Sequence, residues 1–228
     1  MSTPGRVLIT GGASGLGAAT AEAVAEAGGR PLVIDREPPR AGPPYIPVDV
    51  TDTAAAERAV VELAEQAGGL DAVFTAAGID VPGPFGKVST EDWENVVKIN
   101  LLGTAAVIRA ALPYLESSGG TVVTVASTLG IKAVGDATAY CASKWGVVGF
   151  TRALAAETAG RIGVTLLIPG GMHTSFFDSR DEQYKPPPDA KLNQPDNVAR
   201  TVLYALSQPP GCQVREMVVC ASEEGSWP

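Results

Sequence analysis

Val7-Leu8-Ile9-Thr10-Gly11-Gly12-Ala13-Ser14-Gly15-Leu16-Gly17 is the stretch whose reading decides the fold. Its three consecutive apolar residues mark a strand buried on both faces. The run Ala18 to Ala27 then reads as an amphipathic helix, ended by Gly28-Gly29. A glycine-rich turn between strand and helix lets a backbone approach a pyrophosphate closely. The helix N-terminus adds free N–H groups and the positive end of its dipole. The glycines are spaced Gly-x-x-x-Gly-x-Gly, not Gly-x-Gly-x-x-Gly.

The same alternation continues outward. Pro31 to Ile34 reads as a strand ending at Asp35, twenty residues after Gly15. An acidic side chain there accepts from the ribose hydroxyls of an adenosine and repels a 2′-phosphate. Arg36 pulls the other way, since a guanidinium holds such a phosphate; the balance favours NAD, with NADP as the alternative. A proline-rich loop from Arg36 to Pro44 leads to a third run, Tyr45 to Val48, and on to Asp49-Val50. A helix from Thr53 to Gln66, capped by Asp52 or Thr51, precedes a fourth strand, Asp71 to Thr75, which ends in Ala76-Ala77-Gly78. After a loop from Ile79 to Val88, Ser89 or Thr90 caps a helix whose continuation, Val96 to Leu115, carries one polar outlier, Asn100. A buried Asn there satisfies backbone groups, bends a helix or serves a site. Thr121 to Ala126 is a fifth strand with Ser127 at its end, and Ile162 to Ile168 a sixth, stopped by Pro169-Gly170-Gly171 with Thr174 shortly after. A last helix starts at Pro195-Asp196 and runs to Leu206; Arg215 to Val219 suits an edge or final strand, and Glu223 to Pro228 a solvated tail.

Strands alternating with helices predict an α/β fold, a doubly wound and mainly parallel sheet with helices on both faces. No internal boundary or repeat is visible, so residues 1–228 read as one domain. Ligands of such sheets bind outside the carboxyl ends of the strands, where the segments just named converge. Residues 175–193 form a long loop without an element of its own, a pattern typical of function or disorder.

Composition narrows the partners. The chain has 228 residues, 45% of them hydrophobic and 18% charged, with a net charge of −8. That balance argues against nucleic acid or an anionic membrane as the main partner. No apolar run approaches the ~20 residues needed to span a bilayer, and the N-terminus lacks a long signal-type core. Cys141, Cys212 and Cys220 are odd in number and lack Cys-x-x-Cys spacing, which points to a reduced, cytoplasmic protein without a zinc site. His173 is the only histidine, which excludes a Ser–His triad or a multi-histidine metal site.

Tyr140-Cys141-Ala142-Ser143-Lys144 is the stretch with the most chemistry. Residues four apart stack on one helix face, roughly 5–6 Å between Cβ atoms. A tyrosine titrates near ~10, and an ammonium beside it favours the phenolate. Such a pair can transfer a proton to or from a hydroxyl or carbonyl. By itself the spacing favours the plainer reading, an aromatic stem beside a solvated lysine.

Taken in order, the motifs resemble the short-chain dehydrogenase/reductase family in its compact Rossmann-fold form. They are Thr10-Gly-x-x-x-Gly-x-Gly17, Asp49, Ala77-Gly78, Asn100, Ser127, Tyr140 thirteen residues later, Lys144, and Pro169-Gly170 before Thr174. The match covers Arg6 to Thr174 and Pro195 to Leu206. The resemblance implies that Tyr140 is the general acid/base and that Lys144 lowers its pKa and holds the nicotinamide ribose. It assigns the substrate oxygen to Ser127 and the water relay behind Lys144 to Asn100. It places Gly11, Ser14, Gly15, Leu16 and Gly17 around the pyrophosphate, with Asp35 or Arg36 at the adenosine ribose. Asp49 and Val50 would meet the adenine, with Ala76, Ala77 and Gly78 as the floor. Thr174, with Pro169, Gly170 and the backbone of Ile168, would hold the carboxamide.

The implied reaction interconverts a secondary alcohol and a ketone, in a homotetramer or homodimer. The other reading is a non-catalytic dinucleotide-binding redox sensor or scaffold; such proteins tend to lose the catalytic residues that this chain keeps. Two departures stand out: Thr75-Ala76 where the family often has Asn-Asn, and a C-terminus without an evident Gly-Gly turn. Candidates for the substrate wall are Leu129, Ile131, Val134, Met172, His173, Phe176, Phe177 and Tyr184. They are mostly apolar and include no Arg or Lys clamp, which predicts a neutral, moderately hydrophobic hydroxy or keto compound.

Overall fold

Every residue of Val7-Leu8-Ile9 is fully buried, because β1 (Arg6–Thr10) runs through the middle of a seven-stranded sheet. The computed structural model describes residues 3–40 and 42–227; Met1, Ser2, Ala41 and Pro228, parts of the predicted N-terminal lead, proline-rich loop and tail, lie outside them. Strand order is β3-β2-β1-β4-β5-β6-β7, with β2 at Arg30–Asp35, β3 at Tyr45–Pro47, β4 at Ala72–Thr75, β5 at Thr121–Val125, β6 at Gly163–Pro169 and β7 at Glu216–Val219. All six pairings are parallel, including the edge pair of β6 with β7. The order reverses direction between β1 and β4, and at such a switch point the loops above the strands diverge and leave a crevice.

The period of two along each strand separates two cores. Leu8, Leu32, Ile34, Val73, Val122 and Val164 face α2 (Thr53–Ala67) and α4 (Thr104–Ser118). Val7, Ile9, Phe74, Val123 and Leu167 face α1 (Gly15–Glu26) and α6 (Pro195–Leu206). The expected doubly wound α/β architecture is what the chain adopts.

Local capping settles boundaries that the sequence left open. The Asp52 carboxylate, not Thr51, accepts from the Ala55 N–H at 2.9 Å and starts α2. Ser89, not Thr90, starts α3 (Thr90–Val97) by accepting from the Asp92 N–H. A correction falls on α1: it begins at Gly15, three residues before the predicted Ala18, so its first turn is made of the glycine motif itself.

The predicted helix over Val96 to Leu115 is also not continuous. Between α3 and α4 the backbone widens into a π-helical segment, Lys98–Gly103, with Asn100 inside it. Such insertions concentrate at functional sites. The helical run Thr90–Ser118 corrects a further expectation, because its length and apolarity suffice to cross a bilayer, although half of its most apolar window is buried inside the fold. Its apolarity serves the core: Val96, Val107, Ile108, Ala111 and Leu115 are buried.

The C-terminal tail departs most from expectation. Residues 221–227 fold back over the ends of β5 and β6. The Glu224 carboxylate accepts from the Gly171 N–H at 2.9 Å, and the Ser226 and Thr128 hydroxyls meet at 2.7 Å. Two short 3₁₀ turns, Ser175–Phe177 and Glu182–Tyr184, give the 175–193 segment local order that the sequence did not suggest.

Candidate active site

The site starts from the glycine turn. Gly11 has φ +71°, and a Cβ there would lie 2.8 Å from the Ala77 nitrogen; a Cβ on Gly17 would lie 2.0 Å from the Gly11 carbonyl oxygen. The turn is therefore closed on itself to a degree that only glycine permits. Gly15, at φ +51°, has nothing nearer to a built Cβ than Thr174 Cγ2 at 3.4 Å, so Thr174 faces the turn across a groove. The first N–H groups of a helix have no partner within it, and those of α1 open into a cavity of about 720 Å³.

At one end of the cavity the Asp35 carboxylate accepts from the N–H groups of Ala13 (2.9 Å) and Glu37 (3.1 Å). It is pinned against the glycine turn. Arg36 is mostly exposed, its guanidinium 3.8 Å from Asp49 Oδ2. Thr10 Oγ1 accepts from the Ala77 N–H at 3.2 Å and ties the ends of β1 and β4, whereas Thr75 Oγ1 is buried without a partner among the described residues. That orphan hydroxyl sits where the family's strand often supplies an Asn. A cradle closed at Gly11 and Gly17 to any Cβ, a helix start facing it and an acidic residue at the end of β2 fit a dinucleotide.

At the other end, α5 (Thr138–Glu157) buries Tyr140 and Lys144 on one face. Lys144 Nζ donates to the Val125 carbonyl at 2.8 Å and lies 5.6 Å from the centre of the Tyr140 ring. Burial pushes the Tyr140 phenol up to about 12; a hydrogen bond with Ser127 works against that rise and the Asp80 charge adds to it. Burial likewise pushes the Lys144 ammonium down to about 8, opposed by the Asp80 charge. The expected lowering of the tyrosine pKa is thus not realised in the chain alone, because loss of solvent outweighs the opposing Ser127 hydrogen bond and Arg180 charge. Ser127, at the end of β5, also accepts from the Leu129 N–H.

Asn100 stands behind these groups, not in the cavity wall. Its amide donates to the Ile79 carbonyl and to Ser143 Oγ, and its carbonyl accepts from the Ile79 N–H, all at 2.9 Å. It clamps the segment after β4 to the helix that carries Tyr140. The widened helix turn aims this side chain inward.

The cavity wall brings together Gly11, Ser14, Gly15, Leu16, Gly17, Asp35, Arg36, Asp49, Val50, Ala76, Ala77, Gly78, Pro169, Gly170 and Thr174, whereas Ile168, whose backbone was expected at the carboxamide, is buried in the core. Ser127, Leu129, Val134, Tyr140, Lys144, Met172, Phe176 and Phe177 line it too. Three predicted wall residues do not. His173 is exposed and only its backbone is engaged, to the Asn193 carbonyl; the Tyr184 hydroxyl turns away to Asp136; Ile131 packs into the core beside Val147 and Val148.

Among the lining residues that escaped the sequence reading are Asp80, Arg180, Glu224 and Ser226. Asp80 directly follows Ala77-Gly78-Ile79, which was a usable signal. Arg180 sits in an irregular loop and Glu224 in a polar tail, with no periodicity to mark either. Arg180 overturns the expectation of a wall without a cationic side chain.

A doubly wound parallel sheet with a glycine cradle, and with Ser, Tyr and Lys at the opposite end of the same crevice, defines a dinucleotide-type oxidoreductase architecture. Residues 5–185 match the family described as short chain dehydrogenase, and the chain belongs to that family. It is 35% identical over 219 residues to the 2,5-dichloro-2,5-cyclohexadiene-1,4-diol dehydrogenase of Sphingobium indicum, with 88% of each chain covered. It is 32% identical over 220 residues to the D-threitol dehydrogenase of Mycolicibacterium smegmatis, covering 88% of this chain and 85% of that one. The ligand-free aldohexose dehydrogenase of Thermoplasma acidophilum superposes with a TM-score of 0.86 over 94% of this chain and 92% of that one; at 22% identity this likeness concerns the fold.

Proposed function

We propose that the protein is an NAD-dependent alcohol dehydrogenase that oxidises a secondary alcohol to a ketone and catalyses the reverse reduction. The observation that carries this reading is the presence of Tyr140, Ser127 and Lys144 in the same cavity as the Gly11–Gly17 cradle. The bound nicotinamide dinucleotide would supply the hydride chemistry.

The chain's own residues do the rest. Tyr140 exchanges the proton at the substrate oxygen, and Ser127, hydrogen-bonded to it, holds that oxygen. With its pKa near 12 the phenol is neutral at pH 7, the form that donates to a carbonyl. Lys144, near 8, is still mostly charged at pH 7, and any additional positive charge brought towards Tyr140 favours the phenolate needed for oxidation. Asn100 positions both through Ile79 and Ser143.

Asp35 supports NAD over NADP, because its carboxylate is pinned beside the cradle and would repel a 2′-phosphate, while Arg36 leans to Asp49. The named relatives act on a diol and on a sugar alcohol, which supports a hydroxylated small molecule as substrate. The exposed Leu102 and Trp145 suit burial in a homodimer or homotetramer, and the free cysteines suit a cytoplasmic setting.

Nicotinamide absorbance followed with NAD or NADP and a panel of secondary alcohols tests the reading. Tyr140→Phe should lower turnover by about 10²–10⁴-fold and leave dinucleotide binding in place. A variant as active as the parent removes Tyr140 from the chemistry. Tight dinucleotide binding with no turnover of any alcohol favours a sensor.

A further inference from the structure

The substrate end of the cavity holds a buried ion pair where the sequence predicted an apolar wall. Arg180 Nη2 lies 2.8 Å from Asp80 Oδ2, with the two side chains only 13% and 4% exposed. The guanidinium is also packed on aromatic faces, 4.6 Å from the Phe177 ring centre and 5.1 Å from that of Phe176. Phe176 in turn tilts against Tyr140 at 5.8 Å. The pair therefore belongs to the immediate surroundings of Tyr140, and the charge of Asp80 acts on both Tyr140 and Lys144.

The pair is incompletely satisfied. The Val81 N–H bears on the Asp80 carboxylate and Arg180 Nη1 donates to the Tyr184 carbonyl at 3.3 Å, but among the described residues Asp80 Oδ1 and Arg180 Nε are buried without a hydrogen-bond partner. A buried ion pair offsets its desolvation only when its remaining lone pairs and protons are also engaged, and unpaired buried groups in a native fold call for a functional account. What is missing is one donor for Oδ1 and one acceptor for Nε. A hydroxyl supplies both, since it donates one proton and offers two lone pairs. A carboxylate or phosphate would engage Arg180 but meet the charge of Asp80, and an apolar group would engage neither.

We propose that Asp80 and Arg180 form a hydroxyl-recognition subsite next to Tyr140, so that the substrate is a diol or polyol held through one hydroxyl and oxidised at another. With the 175–185 segment in its present position both orphan atoms are shielded from solvent. A substrate hydroxyl reaches them when that segment shifts, and the Tyr184 hydroxyl on Asp136 Oδ2, at 2.9 Å, is its tether on the far side. Arg180 thus reports the arrival of a polyol to the loop that covers it.

This subsite rests on the alcohol dehydrogenase reading, and the test separates the two. Butane-2,3-diol is compared with butan-2-ol, and cyclohexane-1,4-diol with cyclohexanol, in the presence of NAD. At least one diol should exceed its mono-ol in kcat/KM by about tenfold or more, as sites built to bind a hydroxyl reject analogues lacking it. The doubly apolar variant Asp80→Leu/Arg180→Met removes both charges together and should bring that ratio towards one, chiefly through KM for the diol. The amide pair Asp80→Asn/Arg180→Gln, whose groups still donate and accept, should retain part of the preference and serves if the apolar pair fails to fold.

No diol preference in the parent protein, or an unchanged ratio in the variants, overturns the subsite. If none of the four alcohols is turned over, isothermal titration of the same pairs into the protein with NAD decides. Diol binding without turnover keeps the subsite and overturns the enzyme; equal or absent binding of both members overturns the subsite. Turnover without diol preference leaves the enzyme standing alone.

Discussion

Lys144 Nζ lies 5.6 Å from the centre of the Tyr140 ring, yet its hydrogen bond, at 2.8 Å, goes to the carbonyl of Val125 on β5. The two residues share a helix face as their spacing requires, but the ammonium is anchored to the sheet and not to the phenol. Both side chains are buried, and burial dominates both titrations in opposite directions.

That burial gives a pH signature. Lys144 titrates near 8 in the folded chain against 10.5 for the free side chain, so between these values the unfolded state binds more protons. Stability attributable to Lys144 therefore rises as pH increases from about 8 to 10.5. Denaturant unfolding of the parent and of Lys144→Met across this window should show the parent gaining on the variant with pH. Parallel curves would mean that the lysine titrates normally in the fold.

Tyr140 works with the opposite sign. Its pKa of about 12 lies above the free value of 10.0, so its contribution is present below pH 10 and is lost as pH rises towards 12. Tyr140→Phe should therefore be relatively more stable than the parent at pH 11 than at pH 8. Ultraviolet titration should find this one tyrosine ionising last.

Gly17→Ala places a methyl group 2.0 Å from the Gly11 carbonyl, a backbone atom that cannot rotate away. The turn must open, which should cost about 1–3 kcal/mol of stability and weaken dinucleotide binding at least tenfold. Chemical denaturation and fluorescence titration with NAD measure the two effects. An alanine variant that binds NAD normally would show that the cradle is not where the pyrophosphate sits.

At Asp35 the expected change is in selectivity. Asp35→Ser removes the charge but keeps an oxygen near the Ala13 N–H, so the ratio of kcat/KM for NADP over NAD should rise by about tenfold or more once repulsion of the 2′-phosphate is gone. A ratio that stays constant would move the choice of dinucleotide to Arg36 or Asp49.

Gly170 and Glu224 test the docked tail. A Cβ at position 170 would lie 2.5 Å from Glu224 Oε2, and that oxygen partners the Gly171 N–H. Glu224→Ala should cost about 1 kcal/mol for the lost charge-assisted bond. Gly170→Ala should displace the tail and give faster proteolysis after Val219. Equal proteolysis of parent and variant would show that the tail is held elsewhere.

The architecture was legible in short signals. Val7-Leu8-Ile9, the glycine turn and the repeated change from period two to period 3.6 led to the parallel sheet, and the strand ends led to the crevice. Much of the lining of the crevice was legible for the same reason, since the segments that form it follow strand ends. Less legible was the end of the crevice beside Tyr140. Arg180, Glu224 and Ser226 lie in segments without periodicity, and their positions depend on contacts with residues 100, 53 and 98 positions away in the chain, respectively.

Local order follows from near neighbours: which runs become strands, that helices start within a residue of Asp52 and of Ser89, and why Tyr140 and Lys144 share a face. The sequence by itself determined those features, because they depend on propensity, capping and period. Three others were decided only by tertiary structure. Asn100 became a clamp when its helix widened against Ile79 and Ser143, Tyr140 and Lys144 lost water to their neighbours, and Asp80 met Arg180 across the cavity. Burial and long-range pairing are properties of the closed fold, and they set both the protonation of Tyr140 and Lys144 and the polarity of the pocket beside them.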